Sequence, residues 1–407
     1  MRTLTASFRR FPKSGVSARL RGPSPDAPSS RQRQEVLLRA KPKGPRVSDI
    51  REIARRKNGR STFRQTHQNA DGREVYLYSH SNKLRSPSGA ALNREAQSSE
   101  LRWHPLRQEW NVYAAARQNR TYKPGAAADP LAPMIAGGPA TEVPFEDFDV
   151  AVFENRFPAF SASTKTVSHP HVRTEPAEGA CEVVVYCPDA EGSLGTLSDA
   201  RRALLVEAWI DRYKAHFESG LEYVLPFENR GDEVGVTLHH PHGQIYAFDR
   251  TPEPQAKALA AFRDGFDLAA DLERWRTDYW VAEAGGVVQF APPFARFPYE
   301  TWIASRRRRR GPWEFDDEEI ESFSHLLGAA TRRYDAFFNR PTPYMLTLQA
   351  APRTAGAAYQ FTAQFYPILR SPDRLKFLAS VEQATGIFTV DVVPETAAAA
   401  LRSVSDE

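Results

Sequence analysis

The segment His239-His240-Pro241-His242-Gly243-Gln244 places three imidazoles and one carboxamide within six residues. Isoleucine, tyrosine, alanine and phenylalanine follow at 245–248, so the segment is expected to lead into a β-strand. Successive side chains of a strand point to opposite faces, and His240, His242 and Gln244 are therefore predicted to share one face. Such a row suits metal ligation or attack on phosphorus by an imidazole nucleophile. A lone histidine is more often a satisfied surface or core residue, but the proline and glycine at fixed offsets favour a functional site.

Several separated motifs extend this signal along the chain. Phe227-Glu228-Asn229 precedes the histidine segment, and Phe365-Tyr366-Pro367 follows it. Together with His240-Pro241-His242-Gly243-Gln244-Ile245, they resemble the galactose-1-phosphate uridylyltransferases, the nucleotidyltransferase branch of the histidine-triad superfamily. The motifs occur in the family's order, from about Asp71 to the C-terminus. The resemblance implies an α+β fold of tandem duplicated histidine-triad-like domains, with a mainly antiparallel sheet and long helices.

The two halves of the chain carry the same order of predicted elements. In the first half, Ser198 begins a helix whose apolar residues recur every four positions: Leu205, Trp209, Tyr213 and Phe217. In the second half, a long helix begins at the acidic residues 316–319. A strand, a long helix, a strand and a motif strand thus recur about 120 residues later, and residues 361–365 take the place of residues 239–243. We infer a duplicated unit in which only the first copy keeps the histidines.

The basic excess of the chain lies outside its predicted folded body. Residues 1–60 carry 17 Lys and Arg against 4 Asp and Glu, whereas the remaining residues carry 37 against 46. Residues 1–65 are predicted to form a disordered basic leader, apart from a short helix at residues 47–56. A transit peptide, a nucleic-acid-binding arm or a mistaken translation start would give a similar composition. The first domain is predicted at residues 66–254 and the second at residues 255–407.

Length and composition exclude several classes of protein. A chain of 407 residues with 41% apolar residues can build two domains or one large duplicated domain. No run of about 18 uncharged apolar residues occurs, so no membrane span is expected. Cys181 and Cys187 would lie too far apart on one strand to form a disulfide, which fits a reducing compartment. We predict a cytoplasmic protein with no membrane or nucleic-acid partner.

The resemblance assigns the chemistry to one strand. It implies that His242 attacks UDP-glucose and carries a uridylyl group, which then passes to galactose 1-phosphate in a two-step ping-pong exchange of galactose catabolism. Gln244 is expected to donate to the nonbridging phosphoryl oxygens, and His240 to orient the nucleophile by hydrogen bonding. No cofactor is expected. The family also suggests a homodimer in which the partner contributes residues near each active site.

Further substrate-binding residues match the family position by position. Two arginines, Arg117 and Arg120, match a pair that binds the diphosphate, for which guanidinium groups are suited. The other matches are Asn155 and Phe157 for the uridine pocket, Asn229 and Thr237 for the uridylyl phosphate, and Lys376 and Glu382 for the hexose. Arg156 stands where the family often has aspartate, and Val381 where a tyrosine is expected. Ribose and sugar contacts therefore depart from the family pattern.

The resemblance also implies a structural zinc in many members, and its ligands are missing from this chain. The positions that match its cysteine pair are Asp129 and Ala132, the matching histidine is Ala190, and His240 alone remains. A second family metal site is matched by residues without an imidazole: Ala258, Gln349, Thr362 and Gln364. Zinc needs three or four thiolate, imidazole or carboxylate ligands, so no bound metal is predicted.

Two other functions remain open. A related nucleotidyltransferase or phosphorylase would move adenylyl groups, because the contacts that select the base leave little trace in a sequence. A non-catalytic nucleotide sensor, or a nucleic-acid-binding protein that uses the basic leader, is the second alternative, although the intact His-x-His-x-Gln row disfavours it. The five arginines at residues 306–310 are interpreted as a solvated loop without a role in the site.

Overall fold

The computed structural model describes residues 49–94, 99–119, 125, 128–162, 164 and 168–405. The strands in this part of the chain are β1 Asp49–Arg55, β2 Ser61–Gln68, β3 Glu74–Ser79, β4 Glu100–His104, β5 Glu109–Tyr113, β6 Val150–Glu154, β7 Thr174–Pro176, β8 Gly179–Val185, β9 Tyr223–Arg230, β10 His242–Phe248, β11 Trp280–Ala284, β12 Val287–Phe290, β13 Thr301–Ser305, β14 Tyr344–Gln349, β15 Thr362–Pro367, β16 Leu369–Ser371 and β17 Arg374–Leu375. The helices are α1 Asp199–Glu218, α2 Glu253–Arg263, α3 Leu268–Arg274, α4 Arg276–Tyr279, α5 Asp317–Phe338, α6 Ser380–Thr385 and α7 Pro394–Arg402.

Twelve of these strands form one sheet in the order β1-β2-β3-β6-β8-β10-β9-β14-β15-β13-β12-β11. Every neighbouring pair in this sheet is antiparallel. Two smaller sheets, β5-β4-β7 and β16-β17, complete the strands of the described chain. The predicted α+β class with a mainly antiparallel sheet and long helices is confirmed.

The sheet carries the internal repeat that the element order predicts. The first half runs β6, β8, α1, β9 and β10, and the second runs β12, β13, α5, β14 and β15. In the sheet the two sets are arranged symmetrically about the β9–β14 pair, which joins the halves. Strand β15 therefore holds the position that β10 holds in the first half. Because the two halves share one continuous sheet, their division into domains at residue 254 stays a prediction.

The two long helices pack against each other and cover one face of the sheet. The hydroxyl of Ser198 accepts a hydrogen bond from the backbone N–H of Arg201, which caps α1 as expected. Of the predicted apolar stripe, Leu205, Trp209 and Tyr213 are buried, whereas Phe217 is only partly buried. This apolar layer leaves the opposite face of the sheet available for polar side chains from β10.

One expected element is wrong. Residues 47–56 were expected to contain a short helix, but residues 49–55 form strand β1, which pairs with β2. Hydrogen bonds to the edge of the sheet outweigh a weak local helical preference. The folded part of the chain therefore begins by residue 49 rather than at residue 66. Residues 1–48 of the predicted leader lie outside the described residues.

Candidate active site

Strand β10 places its side chains alternately on the two faces of the sheet. Ile245 and Ala247 are fully buried in the core beneath α1 and α5, whereas His242 and Gln244 point to the other face and are partly exposed. The shared face of His242 and Gln244 is as predicted. His240, however, lies before the strand, which begins only at His242, and proline at position 241 has no N–H to contribute to a ladder.

Gly243 allows the strand to lie against a buried tyrosine. A Cβ atom at this position would lie 2.5 Å from the hydroxyl oxygen of Tyr186 and 2.9 Å from the carbonyl oxygen of Phe227. Any side chain would therefore displace β10 from its neighbours. The glycine between His242 and Gln244 keeps both residues in register with β8 and β9.

A backbone carbonyl two residues earlier orients the ring of His242. Its Nδ1 atom lies 2.7 Å from the carbonyl oxygen of His240, which can only accept a hydrogen bond. Nδ1 therefore carries the proton, and the lone pair of a neutral ring lies on Nε2. Burial lowers the pKa of His242, which favours the neutral, nucleophilic form near pH 7.

His240 is held at both ring nitrogens. Its Nδ1 lies 2.7 Å from Oδ2 of Asp129, and its Nε2 lies 2.8 Å from the carbonyl oxygen of Cys187. Both partners are acceptors, so both contacts are hydrogen bonds when both nitrogens carry a proton. Burial raises the pKa of Asp129, but its hydrogen bonds to His240 and to the N–H of Leu131 outweigh that effect and lower it. The expected hydrogen-bonding role of His240 thus has a defined partner.

Two cavities meet at His242. The smaller has a volume of about 100 Å³, and four further predicted site residues line it: Asn155, Phe157, Thr237 and Gln244. The larger has a volume of about 440 Å³, and its lining includes Asn229 and His240. The structure therefore gathers six other predicted residues around the imidazole of His242. In the wall of the smaller cavity, the Asn155 side-chain oxygen accepts a hydrogen bond from the Phe157 N–H at 2.8 Å, which fixes both residues.

The remaining predicted residues differ in their placement. Arg117 donates a hydrogen bond of 3.0 Å to the carbonyl oxygen of Phe157, whose residue lines the smaller cavity. Arg120 lies outside the described residues. Lys376 and Glu382 form a buried ion pair of 3.0 Å, to which Thr389 adds hydrogen bonds. Neither is among the described residues that line the two cavities.

Two acidic residues of the site were missed. Glu142 lines the smaller cavity, where Arg73 donates to it at 2.9 Å, and the Nε of Arg156 lies 3.5 Å away. No motif surrounds Glu142, and its only signal was the unexpected arginine at position 156. Glu228 lines the larger cavity and lies within a motif, but nothing in the sequence indicates that it is buried.

The surroundings of Glu228 favour its protonated form. The hydroxyl groups of Tyr186 and Tyr344 each donate to its carboxyl group at 3.2 Å. Burial raises the pKa of Glu228 to about 7, although the positive charge of Arg230 and the two tyrosine hydrogen bonds oppose this shift. A carboxyl group with a pKa near neutrality therefore lies on β9, next to strand β10.

The donor atoms near His240 do not fit a zinc ion. Within the described residues, Asp129 is the acidic partner of His240, and alanines occupy positions 132 and 190. Nowhere among the described residues do three His, Cys, Asp or Glu side chains converge as metal ligands would. At the second expected position, Gln349 donates to Gln364, and Gln364 donates to Thr362. No chemical step is therefore assigned to a metal.

The chain matches known proteins over most of its folded part. Residues 89–252 match the family model described as the N-terminal domain of galactose-1-phosphate uridyl transferase. A galactose-1-phosphate uridylyltransferase of Thermotoga maritima is 36% identical over 321 residues, which cover 76% of this chain and 99% of that protein. One from Streptomyces lividans is 32% identical over 366 residues, which cover 83% and 96%.

Solved structures agree with these sequence matches. A uridylyltransferase structure aligns with a TM-score of 0.67 at 26% identity and covers 75% of this chain and 97% of its own. No helix in the described part of the chain is both long and apolar enough to cross a bilayer.

Proposed function

The chain belongs to the galactose-1-phosphate uridylyltransferase family, and we propose that it exchanges a uridylyl group between UDP-glucose and galactose 1-phosphate through His242. The observation that carries this proposal is the orientation of the His242 ring. Its Nδ1 is engaged by the His240 carbonyl, and the residue lies where two cavities meet, so Nε2 is the nitrogen that serves as nucleophile.

The reaction proceeds in two displacements at phosphorus. In the first, Nε2 of His242 attacks the α-phosphorus of UDP-glucose, the bond to the bridging oxygen breaks, and glucose 1-phosphate leaves. In the second, a phosphate oxygen of galactose 1-phosphate attacks the same phosphorus, the P–N bond breaks, and UDP-galactose leaves. The proton on Nδ1 stays hydrogen-bonded to the His240 carbonyl while the ring carries the uridylyl group.

The two cavities divide the substrate between them. The smaller cavity receives the uridine, since Asn155, Phe157 and Thr237 line it together with Gln244. The Gln244 amide donates to the nonbridging oxygens of the α-phosphoryl group, where negative charge is highest during transfer. The larger cavity receives the hexose 1-phosphate that leaves or enters, and Asn229 in its wall contacts the uridylyl phosphate.

The protein acts as a homodimer in the cytoplasm. Lys376 and Glu382 lie outside the cavities of their own chain, so their segment serves the site of the partner subunit. Exposed apolar side chains flank this ion pair, with Phe377 69% and Ile387 67% exposed. Such a surface is suited to burial against a second subunit. The two cysteines, both free and buried, fit a reducing compartment.

A labelling experiment tests the nucleophile. UDP-glucose that carries radiolabelled α-phosphate, supplied without an acceptor sugar, should give a protein with an acid-labile label. His242→Gly should take up no label, whereas His171→Ala, a change at an exposed histidine that lines neither cavity, should be labelled normally. Equal labelling of wild type and His242→Gly would overturn the mechanism, and preferential labelling from ADP-glucose would overturn the choice of base.

A further inference from the structure

We infer that Asp129 is a positioning residue for the attack by His242 and that it acts through His240. Two contacts connect these three residues in series. Asp129 Oδ2 lies 2.7 Å from His240 Nδ1, and the His240 carbonyl oxygen lies 2.7 Å from His242 Nδ1. The other ring nitrogen of His240 lies 2.8 Å from the carbonyl oxygen of Cys187. The inference rests on the proposed function, because it concerns the geometry of that nucleophile.

The His240 ring cannot turn without loss of two buried hydrogen bonds. Its side chain is 0% exposed, so water cannot replace either partner. Asp129 is itself fixed, since its Oδ1 accepts a hydrogen bond of 3.0 Å from the N–H of Leu131. The backbone next to His240 is also fixed, because the carbonyl oxygen of Pro241 accepts a hydrogen bond of 3.1 Å from the N–H of Tyr186. Together these contacts fix the carbonyl that orients His242.

The position of that carbonyl decides which nitrogen of His242 can react. While the carbonyl accepts from Nδ1, the lone pair lies on Nε2. If the carbonyl turned away, a neutral ring would also adopt the tautomer with the proton on Nε2. In that tautomer, Nε2 has no free lone pair with which to attack phosphorus. A reacting atom displaced by about 1 Å can slow a reaction about 100-fold, so a residue remote from the substrate can govern the rate.

The Asp129 carboxylate fixes the imidazole of His240 at a site whose donor atoms do not fit a metal ion. A tetrahedral ion needs three or four ligands, and the positions that would complete the set, 132 and 190, are alanines. A carboxylate needs no further ligand to fix the ring, because one hydrogen bond to Nδ1 and the Cys187 carbonyl on Nε2 satisfy it. In this chain, a charge-assisted hydrogen bond therefore fixes the His240 ring.

Two substitutions at position 129 separate positioning from general stability. In Asp129→Asn, the amide oxygen can still accept from Leu131, and the amide nitrogen can donate to His240 Nδ1 while Nε2 donates to Cys187. Asp129→Ala removes both contacts. We expect Asp129→Ala to slow single-turnover labelling of His242 about 10- to 100-fold without a change in KM for UDP-glucose, and Asp129→Asn to recover most of the rate.

A second measurement reports on the ring directly and does not require turnover. Nitrogen-15 spectra of histidine-labelled protein should show His242 protonated at Nδ1 in wild type and in Asp129→Asn. In Asp129→Ala, a mixture of the two tautomers is expected. The assignment of the His242 signals follows from their loss in His242→Gly. If wild type itself takes up no label, the proposed function fails, whereas the tautomer still tests the positioning role.

Asp211→Ala is the matched control for lost stability. Asp211 accepts hydrogen bonds from Arg64 and Tyr78 and lies on α1, on the face of the sheet opposite to His242. Its loss should lower stability but leave both the tautomer and the labelling rate unchanged. The inference is overturned if Asp129→Ala labels at the wild-type rate with an unchanged tautomer, or if Asp129→Asn is as slow as Asp129→Ala.

Discussion

At the scale of single residues, the space around Gly243 gives a first prediction. A Cβ atom there would approach the Tyr186 hydroxyl to 2.5 Å and the Phe227 carbonyl to 2.9 Å. Gly243→Ala should therefore lower the free energy of unfolding by about 1–3 kcal/mol and slow the labelling of His242, because the strand must shift. The double variant with Tyr186→Phe should recover part of both losses in urea titrations and labelling assays. A wild-type free energy of unfolding and labelling rate for Gly243→Ala would show that β10 accommodates a Cβ atom at position 243 without a shift.

The buried carboxyl group of Glu228 gives a pH-dependent prediction. Burial raises its folded pKa from 4.5 to about 7, so the folded state holds this proton over a pH range in which the unfolded state has lost it. The stability that Glu228 contributes is complete below pH 4.5 and is lost as the pH rises through 7. The unfolding free energy of wild type relative to Glu228→Gln should therefore fall by about 3 kcal/mol between pH 4.5 and 8. Parallel stability curves for the two proteins would contradict the shifted pKa.

Metal analysis gives a third prediction at this scale. The donors near His240 and Gln364 do not fit zinc or iron, so purified protein should contain far less than one metal ion per chain. Treatment with a chelator should leave uridylyl transfer unchanged, because no step uses a metal. Stoichiometric metal whose removal abolishes transfer would mean that the ligands lie elsewhere in the chain.

The sequence predicts part of the site because strand alternation is a local rule. His242 and Gln244 share a face as expected, since two residues of one strand separated by one position must do so. The hydrogen-bond partner of His240 does not follow from such a local rule. Asp129 is 111 residues away in the sequence, and only the folded chain brings it into contact with His240. Glu142 was missed for the same reason, since its role depends on its distance from Arg156 and not on any local pattern.

At the scale of secondary-structure elements, the arginines at 306–310 have a structural role. They lie before α5, where Asp316 and Glu319 form a capping box. Arg309 binds the fully buried Glu319 at 3.0 Å, and Arg307 contacts the same carboxylate. The expectation of a solvated loop therefore holds only in part, because the run also neutralises an acid buried in the first turn of a long helix.

This difference between neighbouring arginines can be measured. Arg309→Ala should lower the free energy of unfolding by about 1–3 kcal/mol, because it leaves the buried Glu319 with one partner fewer. Arg308 instead pairs with Asp267, and both side chains are nearly half exposed. Arg308→Ala should therefore change stability by less than about 0.5 kcal/mol in the same urea titrations. Equal losses in the two variants would mean that burial of Glu319 does not set the strength of this contact.

At the scale of the whole molecule, the two halves of the shared sheet differ in the side chains that their equivalent strands carry. Strands β10 and β15 hold equivalent positions, but on β15 Gln364 donates a hydrogen bond to Thr362 and accepts one from Gln349. The sequence predicts this repeat because helix and strand periods recur in both halves. It does not predict the β9–β14 pair that joins them, since no turn links those strands and their register depends on the assembled halves.

The proposed dimer leads to a prediction about mixed subunits. If residues 374–389 of one subunit serve the site of the other, His242→Gly and Lys376→Ala disable different parts of the same site. Lys376→Ala has this effect whether the lysine contacts the sugar or only holds the segment through Glu382. Each protein alone should be nearly inactive.

Exchange of subunits between the two variants should restore activity. Random mixing of equal amounts makes half of the dimers mixed, and each mixed dimer has one complete site of two, so about a quarter of the wild-type activity should return. The control is a mixture of His242→Gly with His242→Ala, which shares the same defect and should remain inactive. If the first mixture gains no activity although mass spectrometry detects mixed dimers, each subunit must complete its own site, and the segment around Lys376 must act within its own chain.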